Sequence, residues 1–215
     1  MKPANDPNKD YKALVQNGYD LCAIAYEQAR QGEANPELTL LTSRLSDGAT
    51  VLDIGCGTGV PVARTLAQRF YVTGVDISGE MINRARVNVP EGKFIFEDIM
   101  SVEFPPSHFD AVVAYYSIFH LPREEHPELI RRIYAWLKPG GYLLATLSLF
   151  SEAPYTEDDF YGITMYWSNY SLEDYKSILT EIGFTILEST IIGHGYQEAS
   201  AIPSEHHPLI FARKG

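Results

Sequence analysis

A chain of 215 residues has room for one domain of ordinary size with a continuous buried core and leaves little for a second. The formal net charge of -11 opposes tight binding to nucleic acid, whose affinity comes from clustered Lys and Arg displacing counterions. Only Cys22 and Cys56 carry thiols, the polar N-terminus lacks a signal-peptide run, and no apolar stretch is long enough to span a bilayer, so reduced thiols and a cytoplasmic location are expected, with no membrane partner.

Residues 11 to about 31 read as a helix with Tyr19, Ala23 and Tyr26 on one face, followed by a second helix at about 36–45. A β-type run at 49–54 meets glycine-rich sequence and then a helix at about 61–69. The alternation continues with a strand at 71–75, a helix at about 79–87 and a strand at 93–96. The near-continuous apolar run 110–115 suits a central parallel strand, and the helix from about Arg123 carries Leu129, Ile130, Ile133 and Leu137 on one stripe. A strand follows at 142–149, after Lys138-Pro139-Gly140-Gly141. Residues 150–169 are irregular, acidic and aromatic and read as an inserted lid. Ser171 can cap a helix to about Ile182, and strands at 185–192 and 208–214 close the chain. The rhythm predicts a single doubly wound α/β domain, divided into cap helices (1–47), a ligand-binding core (48–150), the lid (151–170) and a C-terminal helix with strands (171–215).

The stretch Val51-Leu52-Asp53-Ile54-Gly55-Cys56-Gly57-Thr58-Gly59 ends the first core strand. Alternating glycines let the backbone turn sharply beside a ligand, and the helix beyond offers free N–H groups. Asp76 ends the next strand, 21 positions after Gly55, where a carboxylate can accept from both hydroxyls of a ribose. The alternative for Asp76 is to cap the following helix, a task Ser78 can perform instead. A nicotinamide enzyme shares both features, but Val60 stands where the dinucleotide fingerprint has its third glycine. Asp98 and Ile99, ending the third strand, can give an adenine amino group a carboxylate and its ring an apolar face.

In that order, VLDIGCGTG, VTGVDIS, Asp98-Ile99, FDAVVAYYSIFHL and LKPGGYLLATL resemble the class I S-adenosylmethionine-dependent methyltransferases of small-molecule type. The resemblance implies a mostly parallel seven-stranded, Rossmann-like sheet whose last strand is antiparallel. It also implies that Asp53, Gly55, Cys56, Gly57 and Gly59 hold the methionine end of S-adenosylmethionine. Asp76 then holds the ribose, Ile77 and Met81 flank the adenine, and Asp98 with Ile99 reads it; the product is S-adenosylhomocysteine. The segment Tyr19-Asp20-x-x-Ala23-x-x-Tyr26 looks like the helix that covers the cofactor in such enzymes, which sets Tyr19 against the methionine moiety, with Tyr26 either joining it or packing only.

On the acceptor side, Tyr115 is expected against the cofactor, while Tyr116 and His120 are candidates to orient or deprotonate a small-molecule acceptor. His120 reads equally as a satisfied structural histidine. Ala114-Tyr115-Tyr116-Ser117 departs from the Asn/Asp-Pro-Pro-aromatic tetrapeptide of nucleic-acid and protein-amide methylating members, which favours a metabolite. Aromatic lid residues such as Phe160, Tyr161 and Trp167 suit an apolar or aromatic one. His206-His207 lacks a third ligand, so no metal is expected. The alternative reading is a cofactor-binding protein without methyl transfer.

Overall fold

The computed structural model describes residues 1–4, 6, 8–33, 35–193 and 206–215. A two-residue strand, β1 (Lys2–Pro3), precedes α1 (Tyr11–Arg30), which starts where the Asp10 carboxylate accepts the Ala13 N–H at 3.0 Å. Instead of one helix at 36–45, a 3-10 turn (Pro36–Leu38) leads into the short α2 (Thr39–Thr42).

Strand and helix then alternate as the apolar runs require: β2 (Thr50–Ile54), α3 (Val62–Ala67), β3 (Tyr71–Asp76), α4 (Gly79–Asn88), β4 (Lys93–Phe96), β5 (Phe109–Ala114), α5 (His126–Trp136) and β6 (Leu137–Thr146). After a hairpin of β7 (Glu152–Phe160) and β8 (Ile163–Asn169) come α6 (Leu172–Ile182), β9 (Phe184–Gly193) and β10 (His206–Lys214). The seven-stranded sheet has the order β4-β3-β2-β5-β6-β10-β9, parallel up to β6, with β10 antiparallel to both neighbours. One face carries Leu129, Ile133, Trp136, Tyr175 and Leu179 from α5 and α6; the other carries Leu41, Ala63, Leu66, Ile82 and Ala85 from α2, α3 and α4. The sheet is therefore covered on both sides, and the chain reverses its direction of winding between β2 and β5, where open α/β sheets leave a crevice beyond the strand ends.

Two segments differ from their sequence reading. Strand β6 begins at Leu137 rather than Tyr142, because Lys138-Pro139-Gly140-Gly141 is absorbed as an irregularity in which the register against β5 shifts and Gly140 takes a positive φ of 76°. The lid is a β-hairpin: β7 and β8 pair through a two-residue turn at Tyr161 (φ 52°) and Gly162 (φ 76°), and β1 adds a third antiparallel strand. Helix α1 lies on this small sheet, where Gly18 admits Met165: a Cβ there would sit 2.9 Å from the Met165 Cε. No helix among the described residues is long and apolar enough to cross a membrane.

Helix α6 starts with a reciprocal capping box, the Ser171 hydroxyl accepting the Asp174 N–H at 3.2 Å and the Asp174 carboxylate accepting the Ser171 N–H at 3.2 Å. Ser171→Ala is expected to cost about 1 kcal/mol in urea denaturation without altering ligand binding, since the cap is remote from the sheet's switch point.

Candidate active site

The loop after β2 folds back over the tip of β3. The Gly55 and Cys56 N–H groups both donate to the Val75 carbonyl, at 2.8 and 3.1 Å. Gly55 has a φ of 68°, and a Cβ added there would fall 2.3 Å from the Ser117 Cβ, so only glycine lets the β2 and β5 loops meet. The Gly57 N–H donates to Asp76 Oδ2 at 2.8 Å, and the Ser78 N–H donates to Asp76 Oδ1 at 2.8 Å. Ser78 is the cap of α4, its hydroxyl accepting the Met81 N–H at 3.1 Å and donating to Asp20 of α1 at 2.6 Å. The Asp76 side chain is thus not consumed as the helix cap.

Two carboxyls lie buried side by side. Burial, with the Asp76 charge added, raises Asp53 to about 7, and its Oδ2 has no hydrogen-bond partner among the described residues. Burial raises Asp76 to about 6 against the opposing pull of its two backbone N–H donors.

A cleft of about 80 Å³ opens at these strand ends. Of the residues singled out in the sequence, Tyr19, Gly55, Gly57, Asp76, Ile77, Asp98, Ile99, Tyr116 and His120 line it, whereas Asp53, Cys56, Gly59, Met81 and Tyr115 do not. Cys56 is turned into the core, where a Cβ on Gly74 would fall 2.7 Å from its Sγ; Gly59 packs on Val89 and Ala85; Met81 is fully buried in α4. Tyr115, expected against the cofactor, lies outside the cleft lining. It packs with Leu38 and Leu41 on the other face of the sheet, and burial together with the Glu37 charge drives its hydroxyl far above the ordinary range.

At the far wall, Tyr19 Oη lies 2.7 Å from His120 Nε2, and His120 Nδ1 lies 2.8 Å from the Tyr166 carbonyl of β8. A carbonyl only accepts, so Nδ1 carries the proton and Nε2 accepts the Tyr19 O–H. Burial lowers His120 to about 4, leaving it neutral near pH 7, and raises the Tyr19 hydroxyl well above its usual value.

A second cavity of about 650 Å³ adjoins the cleft and shares Tyr19, Tyr26, Tyr116 and His120 with it; Arg30, Phe119, Phe160, Trp167 and His207 are among its other walls. The Arg30 guanidinium lies over the Tyr26 and Tyr116 rings, 5.4 and 5.5 Å from their centroids, and pairs with Glu33 at 2.8 Å. Tyr116 is held at a φ of 51° while its N–H donates to Thr146 Oγ1 at 2.5 Å. Lys12, Arg30 and the Tyr166 carbonyl were not found from sequence. Helical spacing carried the signal for the first: Lys12, Val15, Tyr19 and Tyr26 share the face of α1 that lines the cleft.

The residues present suit an adenosyl sulfonium. The cleft offers carboxylates at two successive strand ends for hydroxyl and amino donors and apolar walls from Val75, Ile77, Ile99 and Leu121 for a flat base. Two buried oxygens, Asp53 Oδ2 and Ser117 Oγ, are without partners among the described residues.

A methyltransferase-domain family matches residues 51–141. The match and the relatives below support a class I S-adenosylmethionine-dependent methyltransferase family for the segment it covers. It is 33% identical over 147 residues to a phosphoethanolamine N-methyltransferase of Plasmodium falciparum, covering 65% of this chain and 55% of that protein. It is 36% identical over 118 residues to the 27-O-demethylrifamycin SV methyltransferase of Amycolatopsis mediterranei, covering 49% of this chain and 43% of that one. The chain thus spans about half the length of these curated relatives. In fold it is similar to the 1,6-didemethyltoxoflavin-N1-methyltransferase of Burkholderia thailandensis, solved with 1,6-didemethyltoxoflavin and S-adenosylhomocysteine bound, at a TM-score of 0.72 and 20% identity over 99% of this chain and 93% of that one.

Gly55→Ala is expected to lose about 2–4 kcal/mol in urea denaturation and to abolish S-adenosylhomocysteine binding in calorimetry, because a Cβ adds both left-handed strain and a clash with Ser117. The raised pKa of Asp53 means the folded state binds more protons than the unfolded one between the ordinary carboxylate range and about 7, so stability is lost as pH rises through that value. Buried neutral histidines titrate with the opposite sign, but only below about pH 6.5. The melting temperature of the unliganded protein is therefore expected to fall from about pH 6.5 to 8, and Asp53→Asn to flatten that slope.

Proposed function

We propose that the chain binds S-adenosylmethionine in the cleft and transfers its methyl group to a small-molecule acceptor held in the adjoining cavity. The observation that carries this reading is the Tyr19–His120 hydrogen bond at the wall common to both cavities. Bound there, the cofactor supplies a methyl on a positively charged sulfur, an activated group that a nucleophile displaces in line. What remains for the protein is alignment and exclusion of water, and alignment is worth on the order of 7–11 kcal/mol in favourable cases.

In this reading Asp76 accepts from the ribose hydroxyls, Asp98 from the adenine amino group, and Ile77 and Ile99 sandwich the base. Gly55 and Gly57 of the loop receive the methionine end, and the buried Asp53 behind them favours its positively charged ammonium. Residues 1–47 and 151–170 act together as cover, since β1 pairs with β7 and α1 packs on β8.

Tyr19 and His120 form a proton path. The acceptor's proton passes to Tyr19 Oη as Tyr19 gives its own to His120 Nε2. A histidine lowered to about 4 is a weak base, which suits an acceptor whose proton turns acidic only as its lone pair bonds to the methyl. This favours a nitrogen or oxygen acceptor over a thioether or carbon. The walls Phe119, Phe160 and Trp167 support one with an apolar or aromatic body, and the charge of -11 supports a metabolite rather than a polyanion. Buried free thiols at Cys22 and Cys56 support a reducing compartment, the cytoplasm.

His120→Ala and Tyr19→Phe are expected to lower transfer from methyl-labelled S-adenosylmethionine to a panel of small amines and phenols by about 10²–10⁴-fold, with S-adenosylhomocysteine affinity little changed. In the wild type, transfer rates should hold as pH falls to about 5, since His120 stays unprotonated until about 4. Full activity in His120→Ala, or labelled methyl reaching no acceptor, would defeat the reading.

A further inference from the structure

Lys12 stands in the first turn of α1, and its ammonium reaches carboxylates on two other parts of the chain: Asp98 Oδ2 at 2.8 Å, just beyond β4, and Glu125 Oε2 at 2.6 Å, at the entrance to α5. The other Asp98 oxygen, Oδ1, accepts the Met100 N–H at 2.9 Å, so backbone and ammonium together set the plane of that carboxylate. Lys12 and Asp98 both line the cofactor cleft, and Lys12 is the one Lys or Arg that does so among the described residues, facing Asp76, Glu97 and Asp98. All three partners of this bridge are half-buried, where ion pairs are screened less than at an open surface. Burial pulls the lysine's pKa down, but the hydrogen bonds and charges of Asp98 and Glu125 outweigh it and hold the group above its ordinary value, so the bridge persists at neutral pH.

The cleft beneath is narrow. Its volume of about 80 Å³ is well below the ~300–1,000 Å³ typical of pockets for small ligands, and Lys12, Val15, Tyr19 and Tyr26 of α1 form one of its walls. Two further bonds tie the middle of α1 to the start of α4, Asp20 accepting from the Ser78 hydroxyl at 2.6 Å and from the Glu80 N–H at 3.0 Å. At the adenine end, Lys12 supplies the ion pairs of the first turn of α1, while Tyr11 stacks on Tyr166 of β8 with 4.8 Å between ring centroids.

We propose that Lys12 is a positioning residue for the cofactor: it fixes the orientation of the Asp98 carboxylate and, by bridging Asp98 to Glu125, holds the N-terminal end of α1 closed over the cleft. The inference rests on the cofactor reading above. Removing the ammonium leaves two carboxylates without their common partner and loosens the first turn of α1, which then keeps its packing on β8. Entry and exit of the ligand both quicken, and exit quickens more, because Asp98 also loses its fixed orientation.

Surface plasmon resonance with S-adenosylhomocysteine as the probe tests this on the full chain. Lys12→Met is expected to raise the dissociation rate about tenfold and the association rate by a smaller factor, while Lys12→Arg stays near wild type. Glu125→Gln, which leaves the Asp98 bond in place, should shift both rates in the same direction by less, and the double variant should go no further than Lys12→Met. Added salt should speed both rates in the wild type and leave Lys12→Met unmoved. Hydrogen exchange should rise at residues 11–18 in Lys12→Met and stay unchanged in β2 and β3. Unchanged rates in Lys12→Met, or a faster dissociation alone, overturn the assignment, as does exchange raised uniformly across the chain. A wild type that does not bind S-adenosylhomocysteine instead removes the cofactor reading, and the role of Lys12 with it.

Discussion

The bond from the Gly57 N–H to Asp76, 2.8 Å long, ties the glycine loop after β2 to the end of β3, and the geometry of the site follows from it. Parallel pairing brings Ile54 level with Val75, so the chain leaves both strands at one height and its next residues must share a small space. Positive φ at Gly55 and Gly57 turns the loop back over β3, and the Val75 carbonyl takes up two of the N–H groups this exposes. The consequence is a buried acidic tip, with Asp53 and Asp76 both raised by desolvation. Such an arrangement is costly in the unliganded fold and gains from a ligand that brings hydroxyl donors and positive charge.

The larger cavity beside the cleft draws mostly on elements outside the large sheet. Helix α1 contributes Tyr19, Tyr26 and Arg30, and the hairpin contributes Phe160, Trp167 and the Tyr166 carbonyl. That carbonyl decides the tautomer of His120, and with it which nitrogen faces Tyr19. The small sheet is therefore more than a cover: changes in its packing on α1, through Val15, Met165 and Tyr166, reach the chemistry through a backbone atom.

Much of the core was legible because its signals are local. The apolar run 110–115, the Ser171 cap of α6 and the acidic residues at the end of β3 and just after β4 declare themselves in single segments. The hairpin was not, since Glu157-Asp158-Asp159 breaks the period-two pattern and its buried face is defined by α1, which is distant in sequence. The separate placements of Tyr115 and Tyr116 were not legible, because alternation ends with β5, beyond which Tyr116 turns to a positive φ. A backbone carbonyl such as that of Tyr166 leaves no trace in residue identity. The closure of α1 by Lys12 was readable only as helical spacing, Lys12 to Tyr19 being two turns on one face.

In the proposed complex one nucleoside sits between Asp76 and Asp98 with its sulfur at the wall formed by Tyr19 and His120. A crystal structure of the S-adenosylhomocysteine complex measures this directly. The account predicts ribose hydroxyls on the Asp76 carboxylate, the adenine amino group on Asp98, and the sulfur facing the larger cavity beside Tyr19. A nucleoside bound elsewhere, or a sulfur turned away from Tyr19 and His120, contradicts it.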